Sequence, residues 1–253
     1  MASSRTDILR TDAVVLRSTE YGETSRIVNL LTRDHGRVGV MARGARSPKS
    51  RFGSTLEPMS WIQAVIHFRP GRDLQTLSES SHVEVFSTIG RSLERLGVGI
   101  RTIELTGALM QSGQPSPSVL QHQVDTLRML NTAERVDNVW PVFAMRLAGI
   151  LGFSPSFTRE RVEQLPAEGG WLQLDGGQVA EYRPAGTQGV KASRSALRAF
   201  AVCTRADPAV ALRMSMDDRT ASEVNALVDA FIEYHVEDSF PHRTARVLGQ
   251  LNG

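Results

Sequence analysis

The apolar residues of this 253-residue chain change their period once, near Ile89, and that change limits the folds open to it. Before it, short β-branched and aromatic runs alternate with turn residues. They predict strands over residues 11–18, 25–31, 38–42, 61–68 and 74–85. Asp34-His35-Gly36-Arg37 supplies a turn ahead of the third run, and Arg69-Pro70-Gly71-Arg72 breaks the fourth. Five short strands with no long helix among them predict a small closed barrel. A five-stranded OB fold is the economical form, although an SH3-like barrel or a sandwich fragment has nearly the same pattern.

After the change, Ile89, Leu93, Leu96, Ile100 and Ile103 recur at helical spacing. Residues 111–117 interrupt the pattern, and Ser118 is placed to cap a helix over 119–130. Asp137 or Asn138 would cap the next, with Pro141 in its first turn and 142–151 as its body. Val224, Leu227, Val228, Phe231 and Ile232 mark one face of a helix over 220–236. Within this half, residues 169–182 predict a hairpin of Trp171, Leu172, Leu174, Val179 and Tyr182, turning at Asp175-Gly176-Gly177. The expected class is α+β: an OB-fold nucleic-acid-binding domain over 1–82 and a helical domain over 83–253, with segment 154–190 inserted between helices.

Charge is distributed unevenly. Residues 1–80 hold 12 Lys/Arg and 8 Asp/Glu, a balance of +4, whereas 81–253 hold 17 and 19, a balance of −2. Between Asp34 and Glu57 there is no acid, yet Arg37, Arg43, Arg46, Lys49 and Arg51 stand there among Gly, Ser and Pro. Such a loop suits a polyanion, because small residues let the backbone approach and each cation can neutralise a phosphate. Arg17, Arg26, Arg69 and Arg72 are outer candidates. Phe52, inside the basic loop, is the expected stacking platform, while Trp61 and Phe68 read as barrel core or interdomain contacts.

Other chemistries lack their residues. The sequence has no C-x-x-C pair, no H-E-x-x-H, no phosphate-binding glycine fingerprint and no Gly-x-Ser-x-Gly. Asp217-Asp218 stands ahead of a helical pattern, where a cap is the economical explanation. Neither a catalytic centre nor a cofactor is expected. The single Cys203 excludes an internal disulfide, and no apolar run approaches the roughly 20 residues of a membrane helix. With no apolar leader pattern at its start, the chain is expected in the cytoplasm.

Several motifs occur together in the first sixty residues. Tyr21-Gly22-Glu23-Thr24-Ser25-Arg26-Ile27-Val28, Leu31-Thr32, Gly36, Ala42-Arg43-Gly44-Ala45-Arg46, Ser50 and Leu56-Glu57-Pro58 follow one another in order. In sequence and spacing this set resembles the bacterial recombination mediator family RecO. Beyond residue 90 the likeness lies in layout, including Leu147-Ala148-Gly149-Ile150-Leu151-Gly152-Phe153 followed by Pro155. The resemblance implies binding of single- and double-stranded DNA, annealing of complementary strands, and help to RecA loading. It implies RecR and the C-terminal tail of the single-stranded-DNA-binding protein as partners, and a nucleoid-associated place in the cell. Many members carry a four-cysteine zinc module after the Gly-Phe/Tyr-x-Pro stretch; this chain has no cysteine there, so zinc is not carried over.

The alternative reading from the residues alone is an OB-fold RNA-binding or translation-associated factor, which would use the same cations. A third reading is a structural adaptor whose apolar helical groove holds a partner's tail, which is compatible with the family resemblance rather than exclusive of it.

Overall fold

The structure, a computed structural model, describes residues 7–183 and 185–239, with side chains through Val236. It divides into two compact units, residues 1–134 and 135–253.

In the first unit, β1 (Asp7–Tyr21), β2 (Ser25–Thr32), β3 (Gly36–Ala42), β4 (Trp61–Phe68) and β5 (Leu74–Glu84) close a barrel in the order β1-β2-β3-β5-β4. Every pairing is antiparallel except β3 with β5. This is the five-stranded OB barrel the strand pattern predicts. β1 runs well beyond the expected 11–18 because it serves two neighbours. Asp7 to Val14 pair with β4, Ala13 to Tyr21 pair with β2, and a bulge between Val15 and Arg17 turns the strand from one to the other.

Alternation decides which side chains fill the barrel. Ala13, Val15, Val28, Leu30, Val38 and Val40 point inward and are buried. Phe52 and Leu56, from the β3–β4 connection, join this core around a 3₁₀ turn over Gly53–Leu56. Val14, Leu16 and Leu31 point outward, yet they too are buried, because α1 (Leu93–Leu109) and α2 (Pro117–Thr132) pack on β1 and α2 also reaches β2. Segment 111–114 also lies along the start of β3. Arg37 N–H donates to the Gln111 carbonyl at 3.2 Å, and Gly113 N–H donates to that of His35 at 3.1 Å.

The helical period is present but its buried face differs from the expected one. Residues Ile89–Arg91 form a 3₁₀ turn, Ser92 caps α1, and Leu93 is 86% exposed. The face of α1 that is buried carries Gly99, Thr102, Ile103 and Thr106. Gln123 of α2 fills the polar slot they leave: Thr106 Oγ1 donates to Gln123 Oε1 at 2.8 Å, and Gln123 Nε2 donates to Thr102 Oγ1 at 3.0 Å. Two threonines and a glutamine satisfy one another there, so a polar stripe is buried without an orphaned group. The next helix begins at Pro117, whose fixed φ suits a first turn, rather than after Ser118.

The second unit holds α3 (Val139–Leu151), α4 (Arg159–Glu163), a three-stranded sheet of β6 (Gly170–Gln173), β7 (Val179–Ala180) and β8 (Gly189–Ala192), then α5 (Arg194–Arg205), α6 (Pro208–Leu212) and α7 (Asp218–Ser239). The sheet order is β7-β6-β8, so the expected hairpin gains a third strand that relieves the marginal stability of two. Leu172, Leu174 and Val179 are buried as its core, whereas Tyr182, expected among them, is 76% exposed. Asp217 caps α7, accepting from Thr220 N–H at 2.7 Å, and Val224, Leu227, Val228, Phe231 and Ile232 are its buried face. Burial pushes the Cys203 thiol up to about 12, so this residue is apolar filling.

Candidate nucleic-acid interface

Because Val28, Leu30, Val38 and Val40 face the barrel interior, their neighbours face out. The strand registers then assemble three rows on the outer face of β1, β2 and β3. Arg17 lies across from Asn29, which lies across from Gly39. Thr19, Ile27 and Met41 form the second row. Tyr21 and Ser25 begin the third, and Arg43 leaves β3 beside Ser25, one residue past the Arg26–Ala42 pair. No residue of these rows is acidic. Parallel pairing adds Leu74 beside Gly39 and Thr76 beside Met41.

Turns bound this face at both strand ends. At one end stand the β1–β2 turn and the β3–β4 connection. That connection is folded rather than loose: Arg46 N–H donates to Thr24 O at 2.8 Å, Ser47 N–H to Gly44 O at 3.1 Å, and Ser50 N–H to Ser47 O at 2.9 Å. At the other end the β4–β5 turn passes Gly39, where a Cβ would stand 3.3 Å from the Asp73 carbonyl oxygen. The buried side chain of Gln75 holds this turn, accepting from Arg69 N–H at 2.8 Å and donating to the Arg69 and Arg72 carbonyls at 3.1 and 2.7 Å.

The predicted residues fall into four groups. Arg17 and Arg43 lie on the rows themselves, and both are exposed. Arg43 and Lys49 form no ion pair among the described residues, and Arg51 lies 5.4 Å from the Phe52 ring centroid. Arg26 and Arg46 carry acid partners at the same end of the barrel: Arg26 with Glu57 at 2.8 Å, Arg46 with Glu20 at 2.9 Å. Exposed pairs of this kind are worth at most about 1 kcal/mol, so a phosphate can compete for either cation. Arg69 and Arg72 belong to the turn at the opposite strand end. Arg37 is the fourth case. It starts β3 beneath segment 111–114, and its guanidinium donates to the Gly107 carbonyl at 2.8 Å, which makes it a tie between strand and helix.

Phe52 requires a correction. Expected as a stacking platform, it is 2% exposed and belongs to the barrel core. The connection turns back on itself before it, and Thr55 then seals the ring inside, its N–H and hydroxyl both donating to the Phe52 carbonyl at 3.1 and 2.6 Å. No base can reach the ring without unfolding this turn. Trp61 is half-buried with Arg128 over its face at 4.8 Å, and Phe68 lies against His35.

Thr19, Tyr21, Ile27, Asn29 and Met41, which share this outer face, were not among the residues expected from the sequence. The signal was available: each stands one position away from an inward Val, Leu or Ala, or in a row with one that does. Glu104 on α1 feels the Arg17 charge. Burial pushes its carboxyl up from the ordinary value and the Arg17 charge opposes that shift.

The inserted segment does not fit a metal. Residues 154–190 contain neither cysteine nor histidine, and among the described residues no three His, Cys, Asp or Glu side chains cluster as ligands would. Apolar packing organises the sheet instead. Among the described residues, no helix is long and apolar enough to cross a membrane.

Comparison with known proteins agrees with this architecture. A family model described as "Recombination protein O N terminal" matches residues 6–86, and one described as "Recombination protein O C terminal" matches residues 90–244. The chain is 47% identical over 247 residues to a DNA repair protein RecO of Salinibacter ruber, covering 97% of this chain and 95% of that one. It is 34% identical over 152 residues to a RecO of Pelotomaculum thermopropionicum, covering 60% and 58% of the two chains. A RecO of Bacillus pumilus is 31% identical over 148 residues, covering 58% and 57%. With an OB barrel in its first unit, a mainly helical second unit later in the sequence, and both family models matched in order along nearly its whole length, this chain belongs to the RecO family of DNA repair proteins.

Proposed function

We propose that the chain is a non-catalytic DNA-repair mediator. It binds single- and double-stranded DNA on the outer face of β1, β2 and β3, anneals complementary strands there, and acts with RecR in loading RecA. The helical domain holds the C-terminal tail of the single-stranded-DNA-binding protein. The observation that carries the DNA reading is the acid-free set of rows bearing Arg17 and Arg43, with Lys49 and Arg51 in the connection that follows. Membership in a DNA repair family supports DNA rather than RNA as the polymer. Cations that neutralise two strands on one surface lower their mutual repulsion, and an open face leaves base edges able to pair.

Four such cations give a definite salt dependence. Log affinity for a single strand falls against log salt with a slope of about −2.8, at about −0.7 per phosphate neutralised. Changing Arg43 and Lys49 together to Gln brings the slope to about −1.4. The measurement is fluorescence anisotropy of a labelled oligonucleotide across a salt series, beside an annealing assay on strands coated with single-stranded-DNA-binding protein. A slope near zero, or an unchanged slope in the double variant, refutes this face as the site. Normal DNA binding without annealing refutes the mediator role alone.

A further inference from the structure

Removing Phe52 from the surface leaves the proposed interface without its expected ring, and the barrel strands contain one aromatic side chain that is well exposed. Tyr21, at the end of β1, is 53% exposed. It stands in the third outer row, across Ser25 from Arg43, so about two strand spacings or ~10 Å separate the two chain positions. That spacing lets a cation hold the backbone of a strand while the neighbouring base meets the ring. The platform is also held in place. Arg46 donates its backbone N–H to Thr24 O at 2.8 Å and its guanidinium to Gly22 O at 3.2 Å, and it pairs with Glu20 at 2.9 Å. These contacts tie the basic connection to the turn that carries Tyr21, so little ordering entropy remains to be lost on binding. Glu23, in the same turn, repels phosphate there, which favours a base rather than backbone beside the ring.

We propose that Tyr21 is a base-stacking platform that lets this face prefer single strands over duplex. The inference rests on the DNA-binding reading above and adds to it a recognition element that charge alone does not supply. In duplex DNA the base faces are covered by their neighbours, so the ring contributes only with a single strand, while Arg43, Lys49 and Arg51 serve both forms.

Oligo-dT, an abasic strand of the same length and a blunt duplex distinguish the contributions. Tyr21→Ala weakens oligo-dT binding roughly 5- to 150-fold, the range for loss of one stacked base. It leaves abasic-strand and duplex affinities within about twofold and the salt slope unchanged, because no phosphate contact is lost. Tyr21→Phe keeps the wild-type preference. Thermal midpoints of both variants match wild type, since the side chain is exposed. Equal weakening on oligo-dT and the abasic strand overturns the inference, as does Tyr21→Phe behaving like Tyr21→Ala. If Tyr21→Ala has no effect while the Arg43 and Lys49 double variant loses affinity, stacking at Tyr21 fails and the DNA-binding reading stands. If the wild-type chain binds none of the three ligands, both fail.

Discussion

Replacing Phe52 by alanine is the sharpest test of how the basic connection is built. Its ring is 2% exposed, belongs to a core cluster of Val, Leu, Ile and Ala side chains drawn from all five strands, and sits at the head of the 3₁₀ turn that also carries Leu56. Loss of a buried phenylalanine leaves a cavity that surrounding strands cannot close, at a cost of about 3–5 kcal/mol. The compact unit around it spans residues 1–134, taken as the part that unfolds together. At about 2.1 cal/mol/K per residue its unfolding entropy is about 0.28 kcal/mol/K, so the midpoint of the barrel transition falls by about 11–18 °C. Phe52→Leu, which refills most of the cavity, restores more than half of that loss. Thermal unfolding of the full chain followed by circular dichroism reads the shift, and anisotropy with oligo-dT well below the lowered midpoint reads affinity. A buried anchor loses stability and keeps affinity within about threefold of wild type. A midpoint within 2 °C of wild type together with a clear loss of affinity would falsify the placement and return Phe52 to the DNA-facing surface.

Other perturbations test the supports of the site. Gly36 has φ +61° and its Cβ would stand 2.8 Å from the Gln111 carbonyl oxygen and closer still to that of Gln114, whereas Gly22, at φ +58°, has open space. Gly22→Ala therefore costs only the left-handed backbone penalty of about 1–2 kcal/mol, and Gly36→Ala costs distinctly more; equal denaturant midpoints for the two would show that segment 111–114 does not pack on β3. In the second unit, the Asp217 carboxyl is held below its ordinary value by hydrogen bonds from Thr220, Glu163 by Arg198, and Glu223 by Ser193 and then Arg219. Depressed folded values mean that the stability they contribute is complete above the ordinary carboxylate range and is lost as pH falls below that range through the folded values. Denaturant midpoints of wild type and of a Glu163→Gln, Glu223→Gln variant converge over that window, and parallel curves would contradict the assignment.

What the sequence by itself determined was period, charge and family. Alternating Val and Leu in residues 25–42 sets inward and outward positions wherever the barrel closes, and the spacing of Val224, Leu227, Val228 and Phe231 sets the buried face of α7. Covalent order likewise concentrates five cations between Asp34 and Glu57 whatever the fold. The third strand of the small sheet was harder to see, because β8 has four residues, Gly189–Ala192, and pairs with a strand sixteen residues away. Tertiary structure alone decided what each cation and ring does. Arg37 and Arg43 are alike in sequence, but helix α1 offers a carbonyl to the first, whereas the second is exposed. Phe52 leaves its expected surface place because a loop residue can turn into the barrel interior, whereas Tyr21, at a strand end, is held exposed by its register. Burial on α1 follows the same logic: a stripe of Gly and Thr is buried in place of Leu93 because α2 brings Gln123 to meet it. Periodicity records which residues share a face, and only the neighbour's surface decides whether that face meets protein, water or DNA.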